Sequence, residues 1–157
     1  MSVDHATFFS ACLSAGAILS GFCGTFLSFR IQREAMYYRQ PALDFASRTA
    51  KDVPILLSHF SSSFLLLIIA SVLALGFGFV LPLLALADVV VSRRLVVAGM
   101  LVSVLFVASY FLCEMRHYGV LDNRLLNDRR EWGKSKVLVG TTFVLAVSII
   151  LLVFIYV

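Results

Sequence analysis

Few side chains in this sequence have the chemistry of a catalytic or metal-binding site. Glu114 and His117 form one Glu-x-x-His pair, and this spacing puts both side chains on one face of a helix. A carboxylate-bridged di-metal site needs two such pairs and two further glutamates, but Leu56 stands three residues before His59. We therefore interpret His59 and His117 as interfacial histidines with hydrogen-bond partners. A metal or haem site between them stays open as an alternative.

A second motif with possible chemistry is the Gly-Phe-Gly run at Gly76–Gly78, followed by Pro82. Backbone carbonyls of such tripeptides can replace the hydration shell of an ion in a selectivity filter. Ala74 stands where potassium channels carry threonine, and the sequence has no short pore helix. The run therefore favours a helix kink or a helix end near the outer surface.

The sequence contains no G-x-S-x-G, H-E-x-x-H, Walker or Rossmann motif. Its apolar segments also hold no Asp, Glu, Lys or Arg away from their ends. Ion-coupled transporters and proton pumps place such groups at membrane depth, because those groups carry the coupling. We predict that the protein is not an enzyme, uses no cofactor and buries no charge between its helices.

The composition is that of an integral membrane protein. Of the 157 residues 61% are hydrophobic and 14% are charged, against about one quarter charged in a soluble domain. A helix needs about 20 apolar residues to cross a bilayer, and four apolar stretches have about this length or more. They cover residues 8–29, 54–87, 95–113 and 137–157. We predict one all-α domain over residues 1–157, a four-transmembrane-helix bundle.

The basic residues predict the orientation in the membrane. Eleven of the 13 Lys and Arg residues lie between spans one and two or between spans three and four, and only Arg93 and Arg94 lie between spans two and three. The positive-inside rule then puts both long loops in the cytoplasm and both termini outside, in a plasma (inner) membrane. Anionic lipids account for this positive charge, so nucleic acid is not an expected partner.

Each cytoplasmic loop has a segment with amphipathic character, at residues 41–52 and 120–132. We expect both segments to form helices at the inner interface. Basic and aromatic side chains at this level are expected to contact membrane lipids. The predicted inner-interface anchors are Arg30, Arg33, Arg39, Arg129, Arg130 and Trp132.

Small residues recur every fourth position along the first span and form a ridge on one side of a helix. This ridge consists of Cys12, Gly16, Ser20, Gly24 and Ser28, and a second row beside it consists of Ala17, Gly21 and Thr25. In lipid, such rows let helix backbones approach closely. The residues expected to pack against another helix, or to line a pore, are Gly16, Ser20, Gly21, Gly24, Thr25 and Ser28.

Two functions fit this ridge. In the first, the protein acts by helix packing, as a homo-oligomer or as a subunit of a larger membrane complex. In the second, copies of the first span surround a narrow ion channel. A pore requires a continuous polar stripe, whereas Ala17 and Gly24 interrupt this one. The sequence therefore favours packing.

Overall fold

The computed structural model describes residues 3–39, 52–122 and 129–156, and the regular elements in these ranges are all helices. Four long helices follow one another along the chain, and a π-helical segment and a short helix extend the second. Their bounds are α1 Val3–Arg39, α2 Asp52–Leu73, the π-helix Ala74–Val80, α3 Leu81–Leu86, α4 Arg93–Asp122 and α5 Arg129–Tyr156. We call α2, the π-helix and α3 together span two.

Four of these helical stretches are long and apolar enough to cross a membrane. They are Asp4–Gln32, Ser63–Leu86, Arg93–Met115 and Lys136–Tyr156. The prediction of an all-helical, multi-pass membrane protein is thereby confirmed at the level of helix number, length and composition. The arrangement as a bundle within a bilayer stays a prediction.

The two predicted loop helices have a different outcome. The first lies almost wholly outside the described residues, of which only Asp52, the start of α2, belongs to it. The second lies partly outside them. Its described residues belong to the long helices, because α4 continues to Asp122 and α5 begins at Arg129. Both interfacial helices therefore stay predictions.

Span two does not end at its glycines. Leu73 and Leu81, which flank the π-helix, both have right-handed helical backbone angles, so the helix continues through it to Leu86. The N–H of Leu81 donates to the carbonyl of Gly76, five residues earlier, which is the π-helical pattern. Pro82 follows directly and has no N–H to offer the carbonyl of Gly78. Of the two predicted outcomes, the helix end near Gly76 is therefore wrong.

Span two and α4 form the centre of the molecule. α4 packs along α2 and α5, and α1 packs along span two with fewer contacts to α4. The main hydrophobic core joins α1, α2, α4 and α5. Its fully buried members include Cys23, Leu66, Ala70 and Phe106, with Ala146 from α5. Burial of these apolar side chains holds α1 and α5 on the two central helices.

At the end of the molecule where α1 begins, two arginines join α4 to both flanking helices. The guanidinium carbon of Arg93 lies 5.2 Å from the ring centroid of Phe8 in α1, a cation–π contact. Arg94 donates to the carbonyl of Phe154 in the last turn of α5, at 3.2 Å. A second small core lies at this end. It consists of Phe9, Ala85 and Val96.

Hydroxyl groups make further contacts between the central helices. Ser103 of α4 is buried and donates to the carbonyl of Ala70 in α2, at 3.0 Å. The hydroxyl oxygens of Ser109 in α4 and Thr142 in α5 are buried and 2.8 Å apart. Lipid tails are as apolar as the helix surfaces, so the hydrophobic effect does not drive transmembrane helices together, and hydrogen bonds of this kind contribute to their association.

Replacing Thr142 by valine should lower the free energy of unfolding by about 0.6 kcal/mol, and by no more than about 1.7 kcal/mol, because it removes one interhelical hydrogen bond. Unfolding in mixed micelles, followed by circular dichroism, measures this change. Thr141→Val is the matched control, because the exposed Thr141 hydroxyl bonds only to the carbonyl of Val137 in its own helix. An equal loss in both variants would contradict the prediction.

Candidate functional site

A buried ion pair joins three helices at one end of the molecule. Arg30 in the last third of α1 forms a hydrogen-bonded salt bridge with Glu114 of α4. A second guanidinium nitrogen of Arg30 donates to the hydroxyl of Ser63 in α2, at 2.9 Å. Arg30 is 3% exposed and Glu114 is 7% exposed, so both charges lie inside the protein. The prediction that no charge is buried between the helices is therefore wrong.

Sequence reasoning placed Arg30 at the lipid interface and Glu114 at the end of a span, and it did not connect them. Their separation along the chain is 84 residues, so no local pattern reports the contact. The available signal was chemical: Arg30, Glu114 and Ser63 occupy the same end of three spans, of which the middle one runs against the other two. A charge at a span end can turn inward when a partner of opposite sign is there.

The same pair bears on the metal hypothesis. The carboxylate of Glu114 is engaged by Arg30, a cation that would compete with a metal ion for it. The side chains of His59 and His117 lie outside the described residues. Among the residues that the structure describes, no group of three His, Cys, Asp or Glu side chains could hold a metal ion.

Gly16 marks the closest approach between α1 and span two. It is buried, and a methyl group built on it would lie 1.8 Å from the carbonyl oxygen of Gly78 in the π-helix. A methyl group built on Gly78 would lie 2.7 Å from the Cα of Gly16. Two glycines are needed here because any β-carbon would occupy the other backbone's space. The neighbouring residue of the π-helix, Phe77, packs its side chain on Gly99 of α4, where a β-carbon would overlap the ring.

The small-residue ridge of α1 is divided between an inner and an outer side. Gly16 faces span two, while Gly21, Gly24, Thr25 and Ser28 are exposed. No atom of another described residue lies within 4 Å of a β-carbon built on Gly21 or Gly24. Of the packing face predicted from the sequence, only the inner side therefore contacts other helices of the same chain.

The exposed small residues of α1 follow a spacing that the every-fourth pattern concealed. Six of them alternate four and three residues apart over nearly three heptads, which is the repeat of a left-handed helix pair. We call this set the outer seam of α1. It consists of Ser10, Ser14, Ala17, Gly21, Gly24 and Ser28, all exposed. Larger exposed side chains, Ile18, Phe22 and Phe29, lie along one edge of the seam.

Two hydroxyl groups, one on the outer seam and one beside it, are turned back to their own helix. Ser14 of the seam donates to the carbonyl of Ser10 at 3.0 Å, and Thr25 beside it donates to the carbonyl of Gly21 at 2.9 Å. These bonds satisfy the two donors without water or a partner chain. At these two positions α1 can therefore lie against an apolar neighbour.

Other exposed helix faces have a different composition. On α5, the exposed residues include Val144, Leu151 and Ile155, and on α4 they include Leu101 and Leu112. Large aliphatic side chains of this kind suit contact with lipid tails. The outer seam has almost no such side chains, so it resembles a helix–helix contact surface rather than a lipid-facing one.

The remaining predicted site residues lie at several places. Ser20 is half-buried on the inner side of α1, and its hydroxyl oxygen is a buried atom with no hydrogen-bond partner among the described residues. Four of the predicted anchors belong to the loop-side ends of α1 and α5. These are Arg33, Arg39, Arg129 and Arg130, with Trp132 close by in α5. Their contact with lipid stays a prediction, and Arg30 has a protein partner instead.

Comparison of this chain with protein-family models, curated proteins and solved structures finds no match.

Proposed function

We propose that this protein acts by helix packing in a membrane, as a homo-oligomer whose copies meet through the outer seam of α1. The observation that supports this is the exposure of six small residues at heptad spacing on one helix. Residues that let two backbones approach closely serve no purpose against lipid tails. A second α1 helix fits them, because the same flat surface is then present on both sides.

The geometry of such an assembly follows from the membrane. Copies inserted with the same orientation bring their α1 helices together parallel to one another, around an axis normal to the bilayer. Each seam residue then lies near its counterpart, and Gly21 and Gly24 define the closest approach. The helices would cross at about 20°, as in left-handed coiled coils.

The orientation belongs to the same proposal. Both termini lie outside and both long loops lie in the cytoplasm of a plasma (inner) membrane, because eleven of the 13 basic residues lie in those loops or at the span ends next to them. Anionic lipid headgroups are the partners of these loops. A cysteine-accessibility assay on intact cells, with a reporter cysteine placed in either loop, tests this orientation.

Gly21→Leu and Gly24→Leu should each weaken self-association about tenfold, which corresponds to about 1.4 kcal/mol. The added side chains would hold two seams apart. The fold stays intact, because no other described residue lies within 4 Å of a β-carbon at either glycine. Energy transfer between labelled copies in lipid vesicles, measured against protein-to-lipid ratio, gives the association constant.

Gly140→Leu is the matched control for this experiment. Gly140 is an exposed glycine on α5, and no other described residue lies within 4 Å of a β-carbon built on it. The same substitution is therefore made on a helix that does not carry the outer seam. Equal weakening by all three substitutions, or none by the two in α1, would refute the proposal. Co-purification of a different membrane protein that depends on Gly21 would indicate a subunit of a larger complex. Ion flux through wild-type vesicles that Gly21→Leu abolishes would support the channel instead.

A further inference from the structure

Two contacts on the inner side of α1 hold it against the rest of the protein at separate heights. One is the backbone contact between Gly16 and Gly78, and the other is the salt bridge from Arg30 to Glu114. Fourteen residues separate them along α1, or about 21 Å of helix. The outer seam lies on a different side of the same helix. Its direction therefore depends on how α1 is rotated about its own axis.

The glycine contact sets the distance between the helices and requires that a residue without a side chain faces Gly78. It acts at the height of Gly16, far from the other end of α1. Rings lie between this contact and Arg30: Phe26 is 5.1 Å from Phe111 and 6.3 Å from Tyr110, between ring centroids. Aromatic pairs of this kind tolerate a range of offsets and tilts. The rings therefore do not select one rotation of α1 at the height of Arg30.

The salt bridge is directional. Arg30 donates to Glu114 on α4 and to Ser63 on α2, so its guanidinium is fixed by two helices at once. Rotation of α1 would withdraw the guanidinium from Glu114 and Ser63 and break a buried pair of opposite charges, which is strongly unfavourable. Single buried polar groups are known to fix the register of packed helices in this way.

We propose that the Arg30–Glu114 pair is a positioning device that sets the rotation of α1 and thereby determines which small residues point outward. This role rests on the proposed function, because it matters only if the outward-facing residues form the surface through which copies associate. The rotation of α1 within one chain is nevertheless measurable without any association.

The test measures that rotation directly. Spin labels are attached at Phe29 of α1 and Leu112 of α4, which are exposed and close in sequence to the pair. The native cysteines Cys12, Cys23 and Cys113 are first replaced by alanine. Labelled protein is diluted in a large excess of unlabelled protein, so that pulsed electron paramagnetic resonance reports distances within one chain. The parent with the native pair gives the reference distribution.

Three variants are compared with this parent. Arg30→Met/Glu114→Met removes both charges and keeps apolar volume, Arg30→Glu/Glu114→Arg reverses them, and Glu114→Gln removes one charge with little change of shape. Side chains lie about 5 Å from a helix axis, so a quarter turn of α1 moves its label by about 7 Å. We expect the apolar pair and Glu114→Gln to broaden the distribution by several ångströms, and the reversed pair to restore the narrow one.

The outcomes separate positioning from a purely structural role. Circular dichroism first identifies the variants that keep their helices, and Glu114→Gln serves if the apolar pair does not fold. Arg30→Met/Glu114→Met or Glu114→Gln, if folded and with the parent's narrow distribution, would refute the proposal, and so would a reversed pair whose distribution is as broad as theirs. Failure of wild-type copies to associate would refute the proposed function only, since the labelled chain is measured in isolation from other labelled chains.

Discussion

Replacing Glu114 by alanine should lower the free energy of unfolding by about 3–5 kcal/mol, the largest effect expected from a single side chain in this protein. Arg30 is 3% exposed, so the substitution removes a carboxylate partner from a guanidinium that lies inside the protein. Ser63 offers a hydroxyl oxygen at 2.9 Å but no negative charge. Unfolding in mixed micelles, followed by the loss of helical circular dichroism, measures the change.

Arg30→Met/Glu114→Met is the control for this prediction. Apolar side chains of similar volume commonly replace a buried ion pair without loss of stability. The double variant should therefore recover most or all of the 3–5 kcal/mol. Its recovery would show that the alanine variant suffers from an unpaired charge and not from lost packing. A double variant as unstable as Glu114→Ala would contradict this explanation.

Gly16→Ala should lower the free energy of unfolding by about 1–3 kcal/mol or more, the range found for overpacked cores. The new methyl group would lie 1.8 Å from the carbonyl oxygen of Gly78, and the obstacle is backbone, which cannot rotate away as a side chain would. α1 and the π-helix must therefore separate, and the hydrophobic contacts along both of them weaken. The same unfolding measurement, on protein diluted to monomers, reports the loss.

Gly24→Ala provides a control within the same helix. Gly24 is exposed, and no other described residue lies within 4 Å of a β-carbon built on it. Alanine there should raise the stability of the monomer by up to about 1 kcal/mol through helix propensity. The two substitutions are chemically identical and have opposite expected signs. If Gly16→Ala also stabilised the protein, the close contact with Gly78 would be absent in the membrane.

The number and character of the helices could be predicted from the sequence because length and hydropathy are local properties. Residues 95–113, for example, needed no tertiary information to be recognised as a span, and α4 contains them. The same reasoning left a kink and a helix end open at Gly76 and Gly78, and the helix end is wrong. Glycine and proline there weaken an α-helix, but a π-helix bonded from Leu81 to Gly76 accommodates them without a break.

The division of the α1 ridge could not be predicted. Small residues occupy about half of the surface of that helix, so the pattern indicates that some neighbour is close but not on which side. Gly16 was assigned to packing together with Gly24, and only the position of Gly78 distinguishes the two. The heptad spacing of the outer seam was present in the sequence, but it became visible only when the buried positions were removed from the set.

The ion pair was missed for a related reason. Arg30 at the end of a span has two solutions, extension to the headgroups or burial against an anion, and both satisfy a guanidinium. The choice between them depends on Glu114, which comes near only after three helices have packed. Sequence reasoning judged each charge by its own surroundings in the chain, and these did not contain the partner.

The π-helix of span two also marks a place where the sequence of this protein can change in length. A π-helical turn holds one residue more than an α-helical turn, so Ala74–Val80 carries an inserted residue in structural terms. Deleting one residue there would restore a regular α-helical turn and leave the residues after it on nearly the same side of the helix. Ala85 would then stay in the small core with Phe9. The same deletion within α2 would instead rotate everything after it by about 100° about the helix axis and separate these two side chains.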